Sequence, residues 1–173
     1  MIDIYSKETG VAGKLSNFTK RYFVFDGVPC ACLEGPIQAF KYKEPEIQKE
    51  ICMLSGREAK LRGQEKNEEW QSSQMLWWMG KKYPRGSKDF HELLKRLFLT
   101  AYFNEKSASD LMDSNFSFLS HNIGGKDQTK TILTEAEFCF ILMWVRETIR
   151  ERLPLSVEEM NEVAELIEFS GLP

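Results

Sequence analysis

The sequence has no apolar run of the roughly 20 residues that a bilayer crossing needs. Its start, Met1-Ile2-Asp3-Ile4-Tyr5, lacks the basic segment and apolar stretch of a secretory leader. The expectation is a cytoplasmic protein with no membrane partner. Histidine is scarce, with His91 and His121 alone, and Cys30 and Cys32 are separated by one residue instead of forming paired Cys-x-x-Cys units with Cys52 and Cys139. That spacing argues against a structural zinc site, so no metal is expected and the cysteines read as reduced packing residues. Neither sign of charge is in large excess: 23 Lys and Arg against 26 Asp and Glu leave a formal net charge of -3. A broad nucleic-acid footprint is disfavoured, whereas a small phosphorylated ligand stays open. No internal repeat or low-complexity tract points to a solenoid or a linker.

What is present is the composition of one ordinary globular domain: 173 residues, 42% hydrophobic and 28% charged. Tyr22-Phe23-Val24-Phe25, Asp26-Gly27 and Val28-Pro29-Cys30-Ala31 spell two short strands around a turn dipeptide, with Pro29 confining the hairpin to an edge. From Leu33 to Tyr42 the pattern becomes helical, with Pro36 tolerated in the first turn. Further helices are expected from Pro45 to about Leu54 and over Arg57 to Arg62, the latter closed by Gly63. A Trp-rich helix is expected over Glu68 to Lys82, and another behind Ser87 carrying Phe90, Leu93, Leu94, Leu97 and Phe98. Asn104 to Thr134 is the least periodic stretch, Thr134 caps a helix to about Arg152, and Ser156 caps a C-terminal helix through Phe169. The fold class is therefore mainly α: a multihelical single domain over 1–173, with one small β-hairpin near the N-terminus and a helical extension over 153–173.

Glu34, Gln38 and Lys41 stand at i, i+4 and i+7 and so project from one helical face. Two readings fit that face. It is either a solvated surface of the kind charged residues usually make, or a polar line of acid, amide and amine that works on a ligand.

Leu15-Ser16-Asn17-Phe18, the apolar strand with Asp26-Gly27, and Leu33-Glu34-Gly35-Pro36-Ile37-Gln38-Ala39-Phe40-Lys41-Tyr42 follow one another in an order that resembles the opening of YbiA/NADAR proteins. The likeness continues through Gly56, Ala59-Lys60, Gly63, Trp70 and Met75 to the Ala136-Glu137-Phe138 and Val145-Arg146-Glu147 helix, and is strongest over 14–152. It implies an N-glycosidase that hydrolyses the bond between a base nitrogen and C1 of a ribose. The substrates implied are ADP-ribosylated guanine or a phosphorylated riboflavin-pathway intermediate, with ADP-ribosylated nucleic acid as a further partner, and no cofactor is implied.

Cleaving a C–N glycosidic bond develops positive charge on the sugar, so a carboxylate beside the ring stabilises it and can activate water. Glu34 is the candidate. Lys41 either attacks the anomeric carbon as a neutral amine or holds a phosphate. Ser16, Asn17, Gln38 and Trp70 are the candidate substrate contacts: the amides for ribose hydroxyls or a base edge, and Trp70 for stacking or for the core. The likeness departs at 113–122, where many family members carry an Asp shortly before a Trp-Gly pair. Here Asp113-Ser114-Asn115-Phe116-Ser117-Phe118-Leu119-Ser120-His121-Asn122 has no such pair. Asp127 is the candidate substitute as a second catalytic acid, Asp113 is a weaker one, and His121 is a loop histidine that either serves as an acid or base or is incidental. The competing function classes are a catalytically silent ADP-ribose or nucleotide-binding module and a protein-interaction domain built on the Trp-rich helix.

Overall fold

The computed structural model describes residues 1–115 and 117–152, and the expected helix from Ser156 to Phe169 lies outside them. In chain order the described elements are β1 (Ile2–Asp3), α1 (Gly10–Lys14), β2 (Phe23–Phe25), β3 (Val28–Cys30), α2 (Glu34–Ala39), α3 (Pro45–Cys52), α4 (Gly56–Gln64) and α5 (Asn67–Ser73). They continue with β4 (Met75–Trp78), β5 (Lys81–Pro84), α6 (Lys88–Tyr102), α7 (Glu105–Met112), β6 (Leu119–Ser120) and α8 (Glu135–Arg152). Helices dominate, and the strands form three separate pairs: β1 with β6 in parallel, β2 with β3 and β4 with β5 antiparallel.

The first hairpin forms where the turn dipeptide places it. Asp26 and Gly27 both take positive φ (48° and 76°), the backbone of a tight two-residue turn whose twist matches the flanking strands. Pro29 pairs with Val24 in a two-stranded ribbon that leaves Pro29 exposed at its edge.

The expected helix over Glu68 to Lys82 is a correction. Helix α5 stops at Ser73, Gln74 takes the left-handed conformation (φ 52°), and Met75–Trp78 turns through Met79 (φ 45°) and Gly80 (φ 86°) into β5. The strand buries alternate residues, Leu76 and Trp78, while Met75 and Trp77 are half-buried. Tryptophan favours strands, and a period of two fits one buried face better than the helical reading did. Trp78 stacks on Phe25 at 5.3 Å and meets Phe40 edge-on at 5.4 Å, which joins the two hairpins to α2. With no helix there, Trp78 buried and Trp77 half-buried, the tryptophans do not form one exposed helical face. The aperiodic stretch from Asn104 likewise holds α7, capped by the Asn104 side chain on the Ser107 amide.

Helix α2 lies across the middle of the molecule and is buried on all sides. Gly35 permits this, because a Cβ there would stand 2.9 Å from the Cα and carbonyl oxygen of Cys52 in α3. Gln48, fully buried on α3, donates to Tyr42 O (2.7 Å) and Trp77 O (2.8 Å) and accepts from the Met79 amide (2.9 Å). One side chain thereby fixes the end of α2 against the second hairpin. Cys30, Cys32, Cys52 and Cys139 are buried, free thiols.

Thr134 and Glu137 form a capping box at the start of α8: the Glu137 amide donates to Thr134 Oγ1 (3.2 Å), and Glu137 Oε2 accepts from the Thr134 amide (2.8 Å). The same carboxylate takes both ends of the buried Arg85 guanidinium, at 2.9 and 2.6 Å, and lies 2.8 Å from His91 Nε2. Helices α6 and α8 and strand β5 are thus tied at one point. Burial opposes ionisation of Glu137, yet the hydrogen bonds from Arg85, Thr134 and His91 outweigh it and hold the pKa at about 2.

A carboxylate whose pKa falls on folding adds stability that is present above its unfolded value and lost as pH drops toward its folded value. We predict that acidification from pH 4.5 to about 2 erodes the stability of the parent protein through Glu137. Glu137→Gln, measured by denaturant unfolding, should cost about 3 kcal/mol at neutral pH and flatten the pH dependence across that window. An unchanged slope in the variant contradicts the assignment.

Candidate active site

Glu34, Gln38 and Lys41 do share one side of α2, but that side faces a cavity and not bulk solvent. They are 4%, 3% and 8% exposed, so the solvated-surface reading is excluded. Lys41 lies just past the end of the helix, its amide bonded to Gln38 O (3.3 Å) in a tightened last turn. The lysine Nζ donates to Gln38 Oε1 (2.6 Å), Gly63 O (3.1 Å) and Asn67 Oδ1 (2.7 Å). Gln38 Nε2 in turn donates to Glu34 Oε1 (2.7 Å). The amide bridges amine and carboxylate, and the two partners fix which end of Gln38 is nitrogen.

Gly63 in α4 is part of this arrangement for want of a side chain: a Cβ there would fall 1.9 Å from Gln38 Oε1. Asn67 opens α5, and its Oδ1 also accepts from Trp70 Nε1 at 3.3 Å. Trp70 is 2% exposed, so it stands in the cavity wall as a packed support for Asn67. Glu34 Oε1 has a second partner in Lys60 Nζ at 3.5 Å, while Oε2 takes no protein hydrogen bond among the described residues.

The cavity has a volume of about 330 Å³. Ser16 and Asn17 form part of its lining, and the Asn17 carbonyl accepts the Glu34 amide (3.0 Å) at the start of α2. Asn17 Oδ1 is buried with no hydrogen-bond partner among the described residues, a costly state for a buried acceptor. The opposite wall is the loop from His121 to Leu133. It is pinned by Gln74 Nε2 to Thr129 O (3.1 Å), Gln71 Nε2 to Lys130 O (3.0 Å) and Arg85 Nε to Thr131 O (3.0 Å).

Asp127 is not brought to the cavity. Its carboxylate is exposed and turns back on its own loop, accepting the Thr129 amide (2.8 Å) and hydroxyl (2.7 Å) in an Asx turn. Asp113, also exposed, faces Lys14 at 3.6 Å. The second acid expected at Asp127 is therefore missing from the site. Sequence reasoning also passed over Asn67 and gave no role to Lys60 or Lys130, which line the same space. Lys60 lies in the motif Ala59-Lys60 and was legible there; Asn67 and Lys130 come from segments whose approach depends on tertiary packing.

Burial lowers the Lys41 pKa to about 8; the nearby Lys60 charge pushes the same way, and Glu34 opposes both. A neutral amine is thus within reach near physiological pH. The cavity holds one carboxylate, Glu34, beside Lys41, Lys60 and Lys130, a balance that suits an anionic ligand. Among the described residues no group of His, Cys, Asp and Glu could hold a metal ion, and no helix is long and apolar enough to cross a membrane.

This architecture has known counterparts. The structure resembles the NMR structure of the E. coli protein YbiA with a TM-score of 0.58 over 90% of this chain and 91% of that one, at 15% sequence identity. The chain therefore has a YbiA-like fold, as the order of motifs implied. Residues 10–147 match the family described as bacteriophage protein GP30.3, and the chain belongs to that family. It is also 36% identical, over 137 residues, to an uncharacterized 17.1 kDa protein from the Gp30–rIII intergenic region of Enterobacteria phage T4, covering 78% of this chain and 90% of the relative.

Two measurements follow from this geometry. NMR titration of ¹³C-labelled lysine should show Lys41 titrating near pH 8, well below the ordinary 10.5; a midpoint at the ordinary value contradicts the burial argument. Gly63→Ala should displace Gln38 and lower unfolding stability by about 2 kcal/mol.

Proposed function

We propose that the cavity is the active site of an N-glycosidase that hydrolyses the bond between a base nitrogen and ribose C1. The substrates proposed are ADP-ribosylated guanine or a phosphorylated riboflavin-pathway intermediate. The observation that carries this reading is the state of Glu34: a buried carboxylate with Oε1 held by Gln38 and Lys60 and Oε2 left unpartnered in a polar cavity.

As the C–N bond lengthens, the ribose takes on oxocarbenium character, and a fixed negative charge beside it lowers the barrier. Oε2 serves as the acceptor for a water proton, so that the water oxygen adds to C1 as the base departs. Asn17, which lines the cavity, offers its side-chain amide to a ribose hydroxyl. Lys60 and Lys130 hold phosphate.

Two roles remain for Lys41. As a nucleophile it loses one proton, leaves one of its three acceptors and attacks C1 as the C1–N bond breaks with its electron pair leaving on the base; water then adds to C1 and frees the amine. As a positioning group it stays an ammonium with all three N–H bonds used by Gln38, Gly63 and Asn67. That saturation also favours a second reading, a silent ADP-ribose or nucleotide-binding module in which the polar line is structural.

Glu34→Gln keeps the shape and removes the charge. We predict that it lowers kcat at least 100-fold and leaves Kd for ADP-ribose within a few-fold. A rate within about threefold of the parent excludes Glu34 as the catalytic carboxylate. For Lys41→Ala, loss of rate together with loss of an adduct that borohydride traps in the parent identifies the covalent role, and loss of rate with no trappable adduct in the parent identifies the positioning role.

A further inference from the structure

The mechanism above leaves the departing base nitrogen without a proton donor, and Asp127 does not supply one. His121 is the remaining titratable group in the cavity lining with no assigned role. Its ring is held on three sides. Nδ1 lies 2.7 Å from Ile4 O, directly beyond β1, in an interaction that spans 117 positions of sequence. Phe138 packs against it edge-on at 5.1 Å between ring centroids, and a Cβ on Gly124 would stand 2.7 Å from its Cδ2, so only glycine leaves room for the ring. A carbonyl oxygen can only accept, so Nδ1 carries a proton in both the neutral and the charged ring. Nε2 has no protein partner among the described residues and is the polar atom that the ring can offer to the cavity.

We propose that His121 is the general acid for the leaving base, with Ile4 O fixing Nε2 as the nitrogen that gives up the proton. The proposal rests on the glycosidase reading and adds the residue that completes it. In the step, the C1–N bond breaks and its electron pair leaves with the base nitrogen, which takes the proton from Nε2 of the imidazolium. The neutral ring left behind is the Nδ1–H tautomer that Ile4 already holds, so no ring flip is needed. Water oxygen bonds to C1 and its proton passes to Glu34; exchange with solvent then restores both groups, and the balance is one water added across the bond. The donor works equally if Lys41, and not water, attacks first.

The charged groups nearest the His121 turn are Asp3 on β1, which accepts the Asn122 amide, and Glu135 at the start of α8, which meets Gly124, while Glu34, Lys41, Lys60 and Lys130 line the same cavity. Asp3 is kept ionised chiefly by the Asn122 amide, with the Ser120 hydroxyl adding to it.

The test uses the full chain with ADP-ribosylated guanosine and, separately, with 4-nitrophenyl riboside 5′-phosphate, whose leaving group needs no proton. His121→Asn keeps an N–H near the Nδ1 position for Ile4 O and deletes Nε2; His121→Gln keeps a polar atom near Nε2 that cannot titrate. Both should lower kcat on the guanosine substrate about 100-fold and abolish the fall in kcat that loss of a protonated donor produces as pH rises. Both should leave ADP-ribose affinity within a few-fold and lose little rate on the nitrophenyl substrate. Variants that match the parent in rate and pH profile on guanosine, or that lose equal rate on both substrates, overturn the proposal. A parent that releases no base overturns the glycosidase reading and this proposal with it, which separates the two failures.

Discussion

An ammonium group withdrawn from water is the constraint around which the site is arranged. Lys41 Nζ needs three acceptors at once, and they come from three separate segments: Gln38 in α2, the carbonyl of Gly63 in α4 and Asn67 at the start of α5. Taking a charge out of water costs several kcal/mol unless such partners are in place, so these segments must meet in one register. The requirement reaches outward. Gly63 must lack a side chain for Gln38 to turn toward the lysine, Trp70 must pack where its indole N–H supports Asn67, and Gln38 then hands its other end to Glu34. The Glu34 carboxylate is thus oriented by the same network that keeps the amine buried.

The opposite wall is built by a different device. The loop from His121 to Leu133 has little regular structure and few buried apolar residues, and it is held by side chains that reach its backbone carbonyls from α5 and β5. Arg85 does two things, closing this loop and neutralising Glu137, so the capped start of α8 and the cavity wall are coupled through one buried guanidinium. Rigid placement matters for the proposed reaction, because the water, the carboxylate and the proton donor must sit around a single carbon atom.

Much of this was legible in the sequence, and the exceptions have physical causes. The first hairpin could be read because Asp26-Gly27 is a local turn signal that needs no tertiary information. Glu34, Gln38 and Lys41 could be placed on one side because helical periodicity fixes it. Their burial could not be deduced, since it depends on Gly35 letting α3 approach from behind. The stretch Met75–Trp78 was misread because a short apolar run satisfies both periods. Met79-Gly80 was the turn signal that decides for a strand, and it is weaker than Asp26-Gly27. Asn67 and Lys130 reach the cavity only through packing, and the orientation of His121 depends on a carbonyl at the far end of the chain.

The central claim is that this cavity breaks a base–ribose bond and does not merely hold a nucleotide. The direct measurement is incubation of the purified protein with ADP-ribosylated guanosine and with riboflavin-pathway phosphates, with free base followed by mass spectrometry. The account predicts base released in proportion to protein and time, and its loss in Glu34→Gln. Saturable binding of ADP-ribose with no base released from either substrate class would contradict it and leave the binding module as the correct reading.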